Sequence, residues 1–343
     1  MESRPYSGEK EDWKMAKIVR YAENGGPEVL RVEDGDAGRP GKGEVLLAVE
    51  AIGLNRAEAA QRGGHYIVQP PLPARLGQEC AGTILAIGPD VTGWAVGDQV
   101  STLPAGRPGN YGCYASETLW PATSLLRRPD GLDAKQAAAT WVAFFTAWGG
   151  LVEAGRLSAG EAVVIPAASS SVGLAAIQVA RDLGAIPIAA TRGGTKLREI
   201  EAAGAAHIIV TGEQDIVAEV KRFTGDCGAP LIFDPVAGGF AETLTECLAD
   251  EGMLIIYGGM SNEPFILPRH AAIRRNLTVR GYNFFGLVAD RKRRETVGAT
   301  ITERLLDGRF AMPIAETFAL DDVVEAHRAL ERNEHVGKIV ITT

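Results

Sequence analysis

Cysteine is scarce in this chain: four among 343 residues, at Cys80, Cys113, Cys227 and Cys247, with no two spaced as C-x-x-C. That scarcity excludes a disulfide framework, and the missing pair excludes a closed structural zinc site. Free buried thiols in a reducing cytoplasm are the expectation for all four. No apolar run reaches the ~20 residues that a membrane span needs. Basic charge is the minority sign, with 35 Lys and Arg against 43 Asp and Glu and a net charge of −8. Unaided binding to nucleic acid, which needs a basic face, is thereby disfavoured. Residues 1–14 carry charges throughout and no apolar core, so they are not a secretory signal and read as a flexible tail or expression remnant. Internal repeats and low-complexity segments are absent. What remains is a globular composition, long enough for two domains and suited to small-molecule chemistry.

The organising stretch is 163–185, VVIPAASSSVGLAAIQVARDLGA. Val163, Val164 and Ile165 form the short apolar run of a central parallel strand. From Val172 the apolar residues Ala175, Ala176, Val179, Ala180 and Leu183 recur at three and four, as on one helical face, and Gly184 ends the helix. Between them lie only small residues, which let a pyrophosphate approach the unpaired N–H groups of the helix start. The spacing is that of a dinucleotide fingerprint, but Ala168 and Ser170 stand where the first two glycines belong, and an ordinary strand-to-helix turn fits the stretch equally well. Strands over 186–191, 207–210, 231–234, 253–257 and 277–283, alternating with helices over 196–203, 215–223 and 240–249, extend it to a doubly wound α/β pattern. The second strand ends in Thr191-Arg192 with Lys196 one turn later. An acidic group there would hold the ribose hydroxyls of NADH, whereas these cations suit the 2′-phosphate of NADPH.

From Met15 to about Arg128 the pattern changes to short strands broken by glycine and proline, as in an antiparallel barrel. A short helix over 55–61 interrupts it, with Asn55 as N-cap and Glu58 at capping-box spacing. Residues 104–111, PAGRPGNY, read as a surface loop. Helices over 290–306 and 321–332 and a strand over 338–342 return to this first domain, leaving a cleft between domains as the natural ligand site.

The pieces GGPEVLRVED (25–34), GLNRAEAAQRGGHY (53–66), LGQECAGTILAIGPDV (76–91), GDQV (97–100), the AASSSVG turn and HVGKIVI (335–341), in this order and spacing, resemble the medium-chain dehydrogenases/reductases, in their zinc-free quinone oxidoreductase, zeta-crystallin-like branch. The resemblance covers nearly the whole chain after Met15. It implies a GroES-like barrel-type catalytic domain (15–128 and 288–343), a Rossmann domain binding NADPH (129–287), and a homodimer joined through the strand at 277–283. Where zinc-dependent relatives place metal ligands this chain has Asn55, Gln78-Glu79 and about Val142, so no metal is expected. Glu79 is expected to serve as a local hydrogen-bond or ion-pair partner. The pattern N-x-x-[DE]-x-x-x-R-x-G-x-Y is met by Asn55, Glu58, Arg62, Gly64 and Tyr66, and implies that Asn55 and Tyr66 face nicotinamide and substrate. His65, outside the pattern, is expected in solvent or packing.

By the same resemblance Thr146 touches the cofactor, Gly258 and Phe284 line the nicotinamide through their backbone, and Lys338 reaches the pyrophosphate. Ser169, Ser170, Ser171, Val172, Gly173, Thr191, Arg192 and Lys196 complete the cofactor contacts. Pro166 and the serine triplet depart from the family's commoner turn, and Thr211 stands where many relatives have tyrosine. The implied activity is NADPH-dependent hydride transfer to a quinone or enone. Reduction of a carrier- or CoA-linked enoyl thioester and a non-enzymatic NADPH-binding role are the alternatives.

Overall fold

The computed structural model describes residues 15–343; the tail expected at 1–14 lies outside them. Six parallel strands form one sheet in the order His207–Val210, Ile186–Thr191, Ala162–Ile165, Ala229–Asp234, Leu248–Ile256, Thr278–Gly281. Numbered along the chain this is 3-2-1-4-5-6, the doubly wound order whose reversal opens a crevice beyond the carboxyl end of the first strand. That strand is wholly buried from Val163 to Ile165, as a strand covered by helices on both faces must be.

The other sheets draw on both ends of the chain. A seven-stranded sheet carries Ile314–Ala319 and Lys338–Thr342 beside Glu44–Gly53, Cys80–Ile87, Gln99–Thr102 and Leu125–Arg127, with Glu117–Pro121 paired to Glu44–Gly53. A smaller sheet joins Ala16–Tyr21, Arg31–Gly35 and Ala74–Arg75. Residues 104–111 carry no helix or strand of regular length.

One helix binds the two halves. Ala134–Trp148 starts from an Asp133 N-cap and buries every residue from Ala137 to Ala147. Trp141, Phe144 and Phe145 share a core with Ala51 and Ala81 on one side and Val163 and Leu174 on the other. Gly53 makes the approach possible, because a Cβ there would lie 2.0 Å from the Ala138 carbonyl oxygen. Of the cysteines, Cys80, Cys113 and Cys247 are buried but Cys227 is exposed. The expectation of four buried thiols fails there because Cys227 follows the helix Ile216–Phe223 in a polar turn, at Gly225-Asp226, where both residues have positive φ.

Candidate functional site

The serine-rich turn does what its small residues allow. Ser170 caps the helix Ser171–Asp182, its hydroxyl accepting from the Gly173 N–H at 3.1 Å. Gly173 packs so tightly under the turn that a Cβ would meet the Ala167 carbonyl oxygen at 2.6 Å. Ser171 and Val172 form the first helical turn with it. Ser169 and Ser170 border a cleft of about 850 Å³, together with Thr191, Arg192 and Lys196 from the end of the second strand. Thr211, across the cleft, spends its hydroxyl on the Thr191 carbonyl at 3.2 Å.

The cleft is basic. Arg56, Arg192, Lys196 and Arg332 line it against Glu334 as the one acidic wall residue. Lys196 donates to the Asn333 carbonyl at 2.6 Å, and burial, helped by the Arg192 charge, holds its pKa below the usual lysine value. His335 also lines the cleft, and its buried Nδ1 has no partner. Burial first, then the Lys196 and Arg56 charges, press its pKa down to about 4, so the ring is neutral near pH 7 and offers that nitrogen as a free acceptor. Cations for phosphates, a capped helix start and an acceptor for a ribose or adenine donor are the chemistry that NADPH requires.

Deeper in, the positions corresponding to metal ligands are knit together by an ion pair. The Lys338 ammonium lies 2.7 Å from Glu79 Oε2 and 2.7 Å from Asn55 Oδ1. The other Glu79 oxygen accepts the Val142 N–H at 2.9 Å. The Asn55 amide nitrogen donates to the Gly53 carbonyl at 3.1 Å and faces Glu79 at 3.4 Å. Only an acceptor can face an ammonium and only a donor a carbonyl, so the amide's orientation is fixed and both its hydrogens are used. Two expectations are corrected here. Asn55 has no N–H left for a substrate oxygen, and Lys338, 1% exposed, turns inward rather than toward a pyrophosphate. Among the described residues no three His, Cys, Asp or Glu side chains come together as a metal site.

The rest of the Asn55-to-Tyr66 pattern is scaffold. Glu58, fully buried, accepts from the Asn55 N–H at 2.8 Å, the Gln78 N–H at 3.0 Å and the Tyr114 hydroxyl at 2.8 Å. Tyr114 in turn meets His327 Nε2 at 3.2 Å, and His327 Nδ1 meets Arg62 at 2.9 Å. Arginine can only donate, so Nδ1 is the acceptor, Nε2 carries the hydrogen, and every donor in the chain points toward Glu58. Burial raises the Glu58 carboxyl to about 7 in spite of these donors. Tyr66 stands half-buried beside the Gln78 side chain, and burial pushes its phenol above the ordinary value of 10.0.

The other residues expected at the cofactor hold these places in the fold. Thr146 spends its hydroxyl on the Val142 carbonyl within its own helix at 2.6 Å. Gly258 packs on Pro235, whose carbonyl a Cβ would meet at 2.7 Å. Phe284 is buried and stacks on Phe285. His65 is exposed. Sequence reasoning missed Arg56, Asn333 and His335 as cleft residues, although Arg56 adjoins Asn55 and His335 opens the HVGKIVI motif.

Two family models match this chain: an alcohol dehydrogenase GroES-like domain over residues 41–130 and a zinc-binding dehydrogenase domain over 171–301. A quinone oxidoreductase of Pseudomonas aeruginosa is 31% identical over 328 residues, 95% of this chain and 99% of that protein. The chain belongs to the quinone oxidoreductase family. It lies in the zinc-free branch of the medium-chain dehydrogenases/reductases, with their GroES-like and Rossmann halves. A Burkholderia 2-haloacrylate reductase is 28% identical, over 95% of this chain and 98% of that one. The Escherichia coli quinone oxidoreductase solved in complex with NADPH superposes with a TM-score of 0.90 at 25% identity, covering 95% of this chain and all of that one. No helix among the described residues of this quinone oxidoreductase family member is long and apolar enough to cross a membrane.

Proposed function

We propose that this protein is an oxidoreductase that uses NADPH to reduce a small quinone or an activated C=C, without a metal. The observation that carries the cofactor is the pair of cations, Arg192 and Lys196, at the end of the strand Ile186–Thr191, where an acidic residue would select NADH. Likeness to quinone oxidoreductases, to a 2-haloacrylate reductase and to a structure holding NADPH supports the same reading. Arg192 and Lys196 would hold the 2′-phosphate, Ser169, Ser170 and the helix start behind them the pyrophosphate, and His335 Nδ1 a cofactor donor.

Bound there, NADPH supplies the hydride. The protein's part is to hold the acceptor and meet the charge that develops on its oxygen. Tyr66 is the donor for that oxygen, and its raised pKa keeps the phenolic proton in place across the neutral range. Asn55 and Gln78 are walls whose positions Lys338, Glu79 and Glu58 fix. Hydride and one proton from water complete the reduced acceptor.

The reading extends to a cytoplasmic homodimer with domains divided near residues 129 and 287. The dimer contact is the outermost strand Thr278–Gly281, and the helix Arg269–Arg275 that precedes it in the chain carries exposed Ile273. A single monomeric species at micromolar concentration in sedimentation velocity would remove that part.

The reading is tested by following NADPH oxidation with a panel of quinones and enones before and after dialysis against a chelator. Turnover that survives dialysis is expected. Turnover restored by zinc alone removes the metal-free mechanism. Activity confined to carrier- or CoA-linked enoyl groups selects the thioester alternative, and oxidation with no acceptor leaves a cofactor-binding protein.

A further inference from the structure

A second, smaller cavity lies beyond Gln78, away from the cofactor cleft. Its walls include Arg75, Arg107, Gln61, Gln78 and Phe285, and no acidic side chain. Arg75 is half-buried. Its Nε is buried without a hydrogen-bond partner, while Nη2 donates to the Thr118 hydroxyl at 3.2 Å. No Asp or Glu pairs with it among the described residues, and its neighbour across the strand pair is Arg20, a like charge. Burial foremost, then Arg20, press its pKa down. Lys338 and Arg62 have Glu79 and Glu331, whereas buried Arg294 donates to the Val288 carbonyl and, like Arg75, has no ion pair among the described residues. A desolvated guanidinium with no counter-charge is costly, and an apolar side chain would pack there at less cost. An anion lodged in the cavity would supply the counter-charge that the described residues do not.

We propose that this cavity is a subsite for a carboxylate on the acceptor, so that the substrates are quinones or α,β-unsaturated carbonyl compounds bearing an acid group. The proposal rests on the reductase reading above. A guanidinium edge presents paired donors that match a carboxylate. The cavity is small, about 20 Å³, which suits a compact anionic group. Gln78 borders the cavity and also stands beside Tyr66, so a carboxylate held at Arg75 directs the unsaturated part of the molecule toward the Tyr66 phenol.

The test compares 4-oxo-4-phenylbut-2-enoate with its methyl ester, two acceptors sharing one activated C=C. In the wild type, kcat/KM for the acid should exceed that for the ester by about tenfold or more, on the scale of a charge-assisted pair. Arg75→Met should lower the acid-to-ester ratio at least tenfold, with a Tm equal to or above the wild type because a lone buried charge has been removed. Equal use of acid and ester by the wild type overturns the proposal. So does an Arg75→Met protein that loses both activities in proportion and melts lower, the behaviour of a structural residue. Should Arg75→Met not fold, Arg75→Lys keeps the charge and loses the paired donors, and an unchanged ratio overturns the proposal. If the wild type turns over neither compound, the reductase reading fails on its own terms, and calorimetric titration of the acid into the protein with NADP+ decides the subsite. Binding weakened at least tenfold by Arg75→Met sustains it, and equal binding overturns it.

Discussion

Lys338 and Glu79 form an ion pair of 2.7 Å with side chains 1% and 0% exposed, at the place where metal-dependent relatives would gather their ligands. One charge there is expensive and two are tolerable, because each satisfies the other and Asn55 and the Val142 N–H take up the remaining valences. Removing one partner is therefore the informative perturbation. Lys338→Met should destabilise the protein by roughly 3–5 kcal/mol, and Lys338→Met with Glu79→Gln should recover much of that loss. Urea unfolding measures both. NADPH affinity should change little in the double variant, and a large rise in Kd there would return Lys338 to the pyrophosphate.

Cofactor selection should reside in Arg192 and Lys196. Each alanine replacement should weaken NADPH binding by about tenfold, equivalent to ~1.4 kcal/mol, while NADH binding stays nearly constant. Nicotinamide fluorescence titration separates the two cofactors. Lys196→Ala also frees the Asn333 carbonyl, so its effect should exceed that of Arg192, which is exposed. Equal losses for NADH and NADPH would move the phosphate contact elsewhere.

Tyr66→Phe should lower kcat/KM by about tenfold to a thousandfold with NADPH affinity preserved, as for the loss of one donor to a developing oxyanion. Asn55→Ala should lose stability as well as activity, since its amide ties Lys338 to Gly53. A Tyr66→Phe enzyme with wild-type kcat/KM on its preferred acceptor would reduce the residue to packing.

Glu58 gives the fold a pH dependence of definite sign. Its folded pKa, about 7, lies above the reference value of 4.5. The native state thus holds the proton more tightly, and this group's contribution falls as pH rises from about 4.5 to 7 and is level beyond. The span corresponds to something on the order of 3 kcal/mol. His327, pressed down to about 3 chiefly by burial, acts in the opposite direction below pH 6.5. The stability of Glu58→Gln relative to wild type isolates the first group. It should rise from pH 5 to pH 8 in urea melts, and a flat difference would mean that Glu58 titrates normally.

The parallel sheet and its phosphate turn were legible in the chain because their signals are local. A buried apolar strand, a run of small residues and a 3.6-residue period lie within 163–185, and the structure places a strand, turn and helix there. The helix Ala134–Trp148 escaped for the opposite reason: buried all round, it has no polar face to mark a period. The strand Leu248–Ile256 begins earlier than its apolar core suggests, since Leu248 pairs with Ala229 ahead of a register shift that carries polar Asp250 and Glu251 before pairing resumes at Met253.

Residue types and spacing determined which groups were available: cations after the second strand, a tyrosine after a glycine pair, no metal-binding set. Tertiary structure alone decided what each group does. Lys338 on a terminal strand is expected at the pyrophosphate until the barrel closes and brings it against residues 55 and 79, far away in the chain. Asn55 reads as a free amide until Gly53, Glu79 and Lys338 consume its hydrogen bonds. Arg75 carries no local signal at all, and only the pairing of its strand with Ala16–Tyr21 and the burial of its Nε single it out. Hydrogen-bond valence and desolvation depend on neighbours distant in the chain, and no local pattern encodes them.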